Sequence, residues 1–136
     1  MPTWAKVLLS ILAVIILLCL AGGFMAYRWF NSNKDAMLNV QKEGAAFGQG
    51  KDFEQCTTAA LARVGPGIMS NVQARIFADG CYKSATKLDA SCEGVPAKTE
   101  IMKNAQWNVE QCRKRGAAND QGCVQLMPAL AEACRR

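Results

Sequence analysis

The chain has 136 residues, sixteen of them basic and eleven acidic, and no histidine. That absence removes the commonest general base and the commonest metal ligand. Beyond residue 31, fourteen basic residues stand against eleven acidic ones without a run of five like charges, a balance that argues against a nucleic-acid partner.

A short tail, residues 1–6, precedes VLLSILAVIILLCLAGGFMA, twenty residues without a charge at positions 7–26. A helix rising ~1.5 Å per residue needs about twenty such residues to cross the hydrocarbon core. Trp4 before the run, and Tyr27, Trp29 and Phe30 after it, bracket it as aromatic rings bracket the two headgroup levels. The reading is a transmembrane helix over 7–27, with membrane lipid as the first partner. The rival is a cleaved signal peptide ending near Ala21-Gly22-Gly23, although its apolar core would be shorter, ~7–15 residues. Leu18 ahead of Cys19 argues against a lipid-modified cysteine. Gly22 and Ala26 form a small-xxx-small pair, the pattern that supports a homodimer through the membrane helix.

Two signals compete over orientation. Arg28, Lys34 and Lys42 follow the helix and only Lys6 precedes it, which by the positive-inside rule favours a cytoplasmic C-terminal part. Six cysteines after the helix, an even number in a small domain, favour an oxidising compartment. The charge difference is small, so the cysteines decide, and the domain is expected outside the cytoplasm.

Residues 28–50 read as a helical stalk, capped by Asn31 or Ser32 and fraying where Gly44, Gly48 and Gly50 weaken it. The remainder, 51–136, shows no alternating strand pattern. A helix over 52–64 starts at Asp52 and stops at Gly65-Pro66-Gly67. A second covers 68–88, with Ile68, Val72, Ile76 and Leu88 as its apolar face, broadened by Met69, Phe77 and Cys81. After the loop 89–97 a third runs from about 98 to 115, with Ile101, Ala105, Val109 and Cys112 on one stripe. Asn119 or Asp120 caps the last helix, in which Cys123, Leu126, Met127, Leu130 and Cys134 share a face and Pro128 predicts a kink or a late start. The expected fold is therefore all-α: membrane helix, stalk, and a disulfide-stapled bundle of about four short helices.

The cysteines at 56, 81, 92, 112, 123 and 134 are never closer than eleven residues. Zinc sites and thiol oxidoreductases want C-x-x-C, so no metal, cofactor or redox role is expected. Structural disulfides fit better. Eleven residues make almost three helical turns, so Cys123 and Cys134 share a face yet are too far apart to bond each other. Cys112 and Cys123 lie symmetrically about a turn at Ala117-Ala118 and form the best pair. The same register sets Cys134 opposite Ile101, near Cys92, which makes Cys92–Cys134 the second pair and leaves Cys56–Cys81. That last pair fits poorly, because a hairpin turning at Pro66 would oppose Cys56 to Ile76.

Nothing forms a catalytic motif. Asp52 and Glu54 read as a cap and a solvated face, and no nucleophile elbow, phosphate loop or metalloprotease helix occurs. Arg113, Lys114 and Arg115 close the third helix, where they complement its dipole or meet an anionic partner. With its anchor, the Gly48–Asp52 stretch before Cys56 and the run Cys92-Glu93-Gly94-Val95-Pro96, the chain resembles small bacterial proteins, themselves uncharacterised, that join one N-terminal anchor to a six-cysteine helical domain. The resemblance implies that architecture and no catalytic residue. The expected role is a membrane-tethered interaction or structural module with an unidentified protein partner, and no enzyme. The alternative is a small apolar-ligand-binding bundle, with Met69, Phe77, Met102 and Trp107 as the cavity lining. A filled core beside an exposed apolar patch favours the first, and an open-mouthed apolar cavity the second.

Overall fold

A computed structural model describes residues 3–136; Met1 and Pro2, the start of the expected tail, lie outside the described residues. The described residues form six helices: α1 (Thr3–Gly48), α2 (Phe53–Leu61), α3 (Ile68–Ser84), α4 (Asp89–Cys92), α5 (Ile101–Lys114) and α6 (Gln121–Arg135). The chain divides into two compact units, one ending at Ala36 and the other comprising Met37–Arg136.

Among the described residues the first unit consists of α1. Its sequence here is rich in leucine, alanine and isoleucine without an interior proline, so nothing interrupts the i to i−4 ladder. Every side chain from Lys6 to Ser32 is exposed. The helix is long and apolar enough to cross a membrane. It is already formed at Trp4–Lys6, within the short tail expected over 1–6.

The second unit takes in the end of α1, which corrects the expected spacer of 28–50: residues 37–48 belong to the domain. Glycine is the reason. A Cβ on Gly44 would overlap the carbonyl of Phe77, one on Gly48 that of Cys81, and one on Gly80 that of Gln41. Backbone meets backbone along this seam between α1 and α3, so the glycines that the sequence presents as helix weakeners are contact points. α1 stays helical through Gly48, and the chain turns at Gly50, whose φ is +70°. Beside the seam the Phe47 and Phe77 rings pack at 5.7 Å, and the Arg63 guanidinium lies 4.0 Å from the Phe77 ring while pairing with Glu43.

Asp52 starts α2 with a capping box: it accepts from the Gln55 N–H at 2.8 Å, and the Gln55 side chain accepts from the Asp52 N–H at 3.1 Å. The hydrogen bonds Phe53 N to Thr86 O and Thr86 N to Lys51 O fasten the start of α2 to the residues just after α3. That register explains how Cys56 meets Cys81 rather than standing opposite Ile76. The first turns of the longer α3 run on past the end of α2, and residues 62–67 span the difference.

α6 is the central element, packed against α2, α3, α4 and α5. Its small residues Ala129, Ala131 and Ala133 are buried together with Leu126, Met127 and Leu130. Pro128 lies inside the helix, which continues through it rather than starting near 127. The other half of the core comes from Phe53, Cys56 and Ala60 on α2, Phe77, Ala78, Cys81 and Tyr82 on α3, and Trp107 and Cys112 on α5. The apolar faces expected for α3 and α5 are therefore only partly buried. Ile68, Met69, Val72, Ile101, Met102 and Val109 are exposed; of the expected faces Phe77, Cys81 and Cys112 are buried, joined by Tyr82 and Trp107.

Asp79 joins three parts of this unit. It accepts from Gln41 on α1 at 3.3 Å, pairs with Lys83 at 2.7 Å, and pairs with Arg136 at the C-terminus at 2.8 Å. Burial alone would raise its pKa, but the hydrogen bonds and charges of Lys83 and Arg136 prevail and hold it below the ordinary 3.8. A carboxylate with a depressed folded pKa contributes stability above its unfolded pKa and loses it as the pH falls through the folded value. Thermal melts between about pH 5 and pH 2 should show wild type losing more stability than Asp79→Asn, so that the two curves converge at the acid end.

Candidate functional site

Among the described residues the six domain cysteines form three disulfides: Cys56–Cys81, Cys92–Cys134 and Cys112–Cys123, with Cα separations of 5.7, 5.4 and 6.0 Å. Local structure aims each pair. α5 ends at Gly116, φ +73°, with Gly116 N bonded to Arg113 O and Ala117 N to Cys112 O. Asp120 then caps α6 through the Gly122 and Cys123 N–H groups. This tight reversal folds Cys123 back onto Cys112. At the other end of α6, Cys134 holds Cys92 on the short α4, while the Cys134 carbonyl accepts from Lys87 Nζ. The three bridges bind α2 to α3, α4 to α6 and α5 to α6. Cys19 is the free cysteine among the described residues and is exposed on α1.

Of the basic trio expected to meet an anionic partner, Arg115 is engaged inside the domain. Its Nε and Nη2 grip both oxygens of Glu54 at 3.1 and 2.5 Å, and its Nη1 donates to the Gln111 backbone and side-chain oxygens at 3.0 and 2.9 Å. Only 14% of its side chain is exposed. Glu54 is thereby a strut between α2 and the end of α5, not merely a solvated carboxylate. The partner-contact role thus falls away for Arg115, whose donors are already directed inward. Arg113 is exposed and paired with Glu110 at 2.7 Å, and Lys114 is exposed. Arg115→Ala should cost about 1 kcal/mol, because Glu54 is half in water and the pair is screened. Arg115→Lys should recover little of that loss, since an ammonium cannot reproduce the fork. Chemical denaturation of the two variants against wild type measures both effects.

The four residues expected to line a ligand cavity do not converge. Phe77 lies in the core, and Trp107 is buried and donates from Nε1 to the Glu93 carbonyl at 3.0 Å. Met69 and Met102 face solvent. The Tyr82 hydroxyl, also buried, shares a 2.8 Å hydrogen bond with Thr57; burial pushes its pKa up to about 12, so it stays a neutral phenol. Among the described residues no group of three or more histidine, cysteine, aspartate or glutamate side chains is placed to hold a metal ion.

The concave features are grooves on the surface. One is lined by Met37, Leu38, Gln41, Val72, Ile76 and Asp79, between the end of α1 and α3. Another, between α5 and α6, has Ile101, Ala105, Pro128 and Ala131 as its apolar floor, with Arg75, Lys98 and Arg135 around it. The Asn108 Oδ1 atom is buried beside this floor without a hydrogen-bond partner. Sequence periodicity marks these aliphatic side chains as apolar but assigns them to the core. Compared with protein families, curated proteins and solved structures, the chain matches none.

Proposed function

We propose that the chain is a single-pass membrane protein of the bacterial envelope, held in lipid through residues 7–27. Its stapled domain lies outside the cytoplasm, on the periplasmic side of the inner membrane, and serves as an interaction or structural module. It works through the surface of a rigid helical bundle and performs no reaction. The observation that carries this reading is a core filled by Phe77, Leu126, Met127, Leu130 and the cystines, beside aliphatic side chains left in water on α3. Contiguous exposed apolar surface on a small domain marks a contact region. Residues Leu38, Val72 and Ile76 flank one groove, with Ile68 and Met69 a turn earlier on the same helix as Val72. The six bridged cysteines support the side of the membrane, because disulfides persist in oxidising compartments. The exposed apolar length of α1 supports an anchor.

A photo-crosslinking residue at Val72 tests the contact role in intact cells. The expected result is a discrete protein adduct from Val72, absent from the exposed position Gln125 and lost when Leu38 and Ile68 are changed to aspartate. Equal, diffuse labelling from Val72 and Gln125 would contradict a specific contact at this groove.

A further inference from the structure

The α5 surface differs from the groove on α3 and points to a different partner. Ile101 and Met102 open the helix at 78% and 74% exposure, and Ala105 and Val109 continue the same side at steps of three and four. The aromatic residue of α5, Trp107, is turned inward. Around the aliphatic side chains stand basic groups: Lys98 and Lys103, 78% and 68% exposed, and Arg113 and Lys114 at the far end. Three acids share this surface. Glu100 pairs with Lys103, Glu110 with Arg113, and Glu132 is shared by Lys98 and Arg135. The Lys98–Glu132 separation is 3.8 Å, too long for a hydrogen bond, so Lys98 is only loosely held.

Aliphatic side chains with a lysine-rich rim and no exposed aromatic form a poor protein hot spot, since such interfaces are enriched in tyrosine, tryptophan and arginine and depleted in lysine. The same pattern suits an anionic lipid surface, where apolar side chains enter the headgroup boundary and lysines meet phosphate. We propose that this face of α5 docks on an anionic bilayer, with Ile101, Met102 and Val109 entering the interface and Lys98, Lys103 and Lys114 facing lipid phosphates. The proposal rests on the membrane-tethered reading above. A tether turns a weak surface affinity into an effective one, because the bilayer is always within reach.

Methionines already in the chain provide the test. Met25 lies in the apolar run of α1, Met102 on the proposed face, Met69 on α3, and Met127 in the core. Hydroxyl-radical oxidation of the full chain is followed residue by residue in phosphatidylcholine nanodiscs, with and without phosphatidylglycerol. The expected result is slow oxidation of Met25 in both lipids and oxidation of Met102 slowed at least about fivefold only with the anionic lipid, the effect of one cation at such a surface. Met69 should be unchanged. Lys98→Glu with Lys103→Glu should restore Met102 oxidation, with Met127 still protected as proof of folding. Equal Met102 rates in the two lipids, with Met25 protected, would overturn the proposal and leave the tether standing. Rapid Met25 oxidation would overturn the tether and the proposal together. Met102 protection that ignores lipid charge and grows with protein concentration would assign the face to a protein contact instead.

Discussion

Replacing Gly80 by valine should lower the melting temperature of the Met37–Arg136 domain by roughly 12–24 °C, from a loss of about 3 kcal/mol. A Cβ at this position overlaps the Gln41 carbonyl, which is backbone and cannot rotate away. The only relief is to move α1 off α3, and that breaks the matching contacts of Gly44 with Phe77 and Gly48 with Cys81. The α2–α3 disulfide does not hold α1, so the end of α1 should detach first. Trypsin cleavage at Lys42 should therefore quicken in Gly80→Val well below its melting temperature. Gly23→Ala is the contrast, because nothing lies within 4 Å of a Cβ there, and it should leave the melt unchanged. Equal melts for Gly80→Val and wild type would mean that α1 and α3 are not in backbone contact.

Reduction should unfold the same domain. On the chain-closure account the bridges closing 42, 25 and 11 residues stabilise it by about 4, 3.5 and 3 kcal/mol, longest loop first. Their combined contribution is comparable to the ~5–15 kcal/mol that a domain of this size possesses. Alanine replacement of one pair at a time should thus destabilise in the order Cys92–Cys134, Cys56–Cys81, Cys112–Cys123, and loss of all three should abolish the near-UV dichroism of Trp107 and Tyr82. Cys56 and Cys81 are fully buried and their truncation also leaves a void, which narrows the gap between the first two pairs. Native near-UV dichroism in excess reductant would contradict a stapled fold.

The longer helices and their order can be read from the sequence, because caps, glycines and prolines act locally, whereas the short α4 falls in what reads as the loop 89–97. Asp52, Asp120 and Gly116 do in the structure what their types dictate. Which face each helix buries is less legible. Ile101 and Val109 are larger and more apolar than Ala129 or Ala131, yet the alanines are inside. In a bundle drawn together by cystines and glycines, close approach selects small side chains, and some large ones remain outside. Gly44, Gly48 and Gly80 carry the same lesson. Helix propensity counts them as weak points, and only the position of α3 against α1 turns them into contacts. Arg115 shows the long-range limit: its partner Glu54 lies 61 residues away, and nothing local marks the pair. For the surface residues the sequence supplies chemistry but no neighbours: Ile101 and Met102 read as core until the packing turns Trp107 inward and leaves them in water.

The central claim, an anchored domain whose cysteines are paired outside the cytoplasm, is tested most directly by intact mass after thiol alkylation of protein taken fresh from membranes without reductant. The predicted result is a chain that retains residues 7–27 and gains one alkyl group, at Cys19, with Cys56, Cys81, Cys92, Cys112, Cys123 and Cys134 unreactive until reduced. Seven alkylated cysteines in the unreduced protein, or a chain cleaved after Gly23, would contradict it.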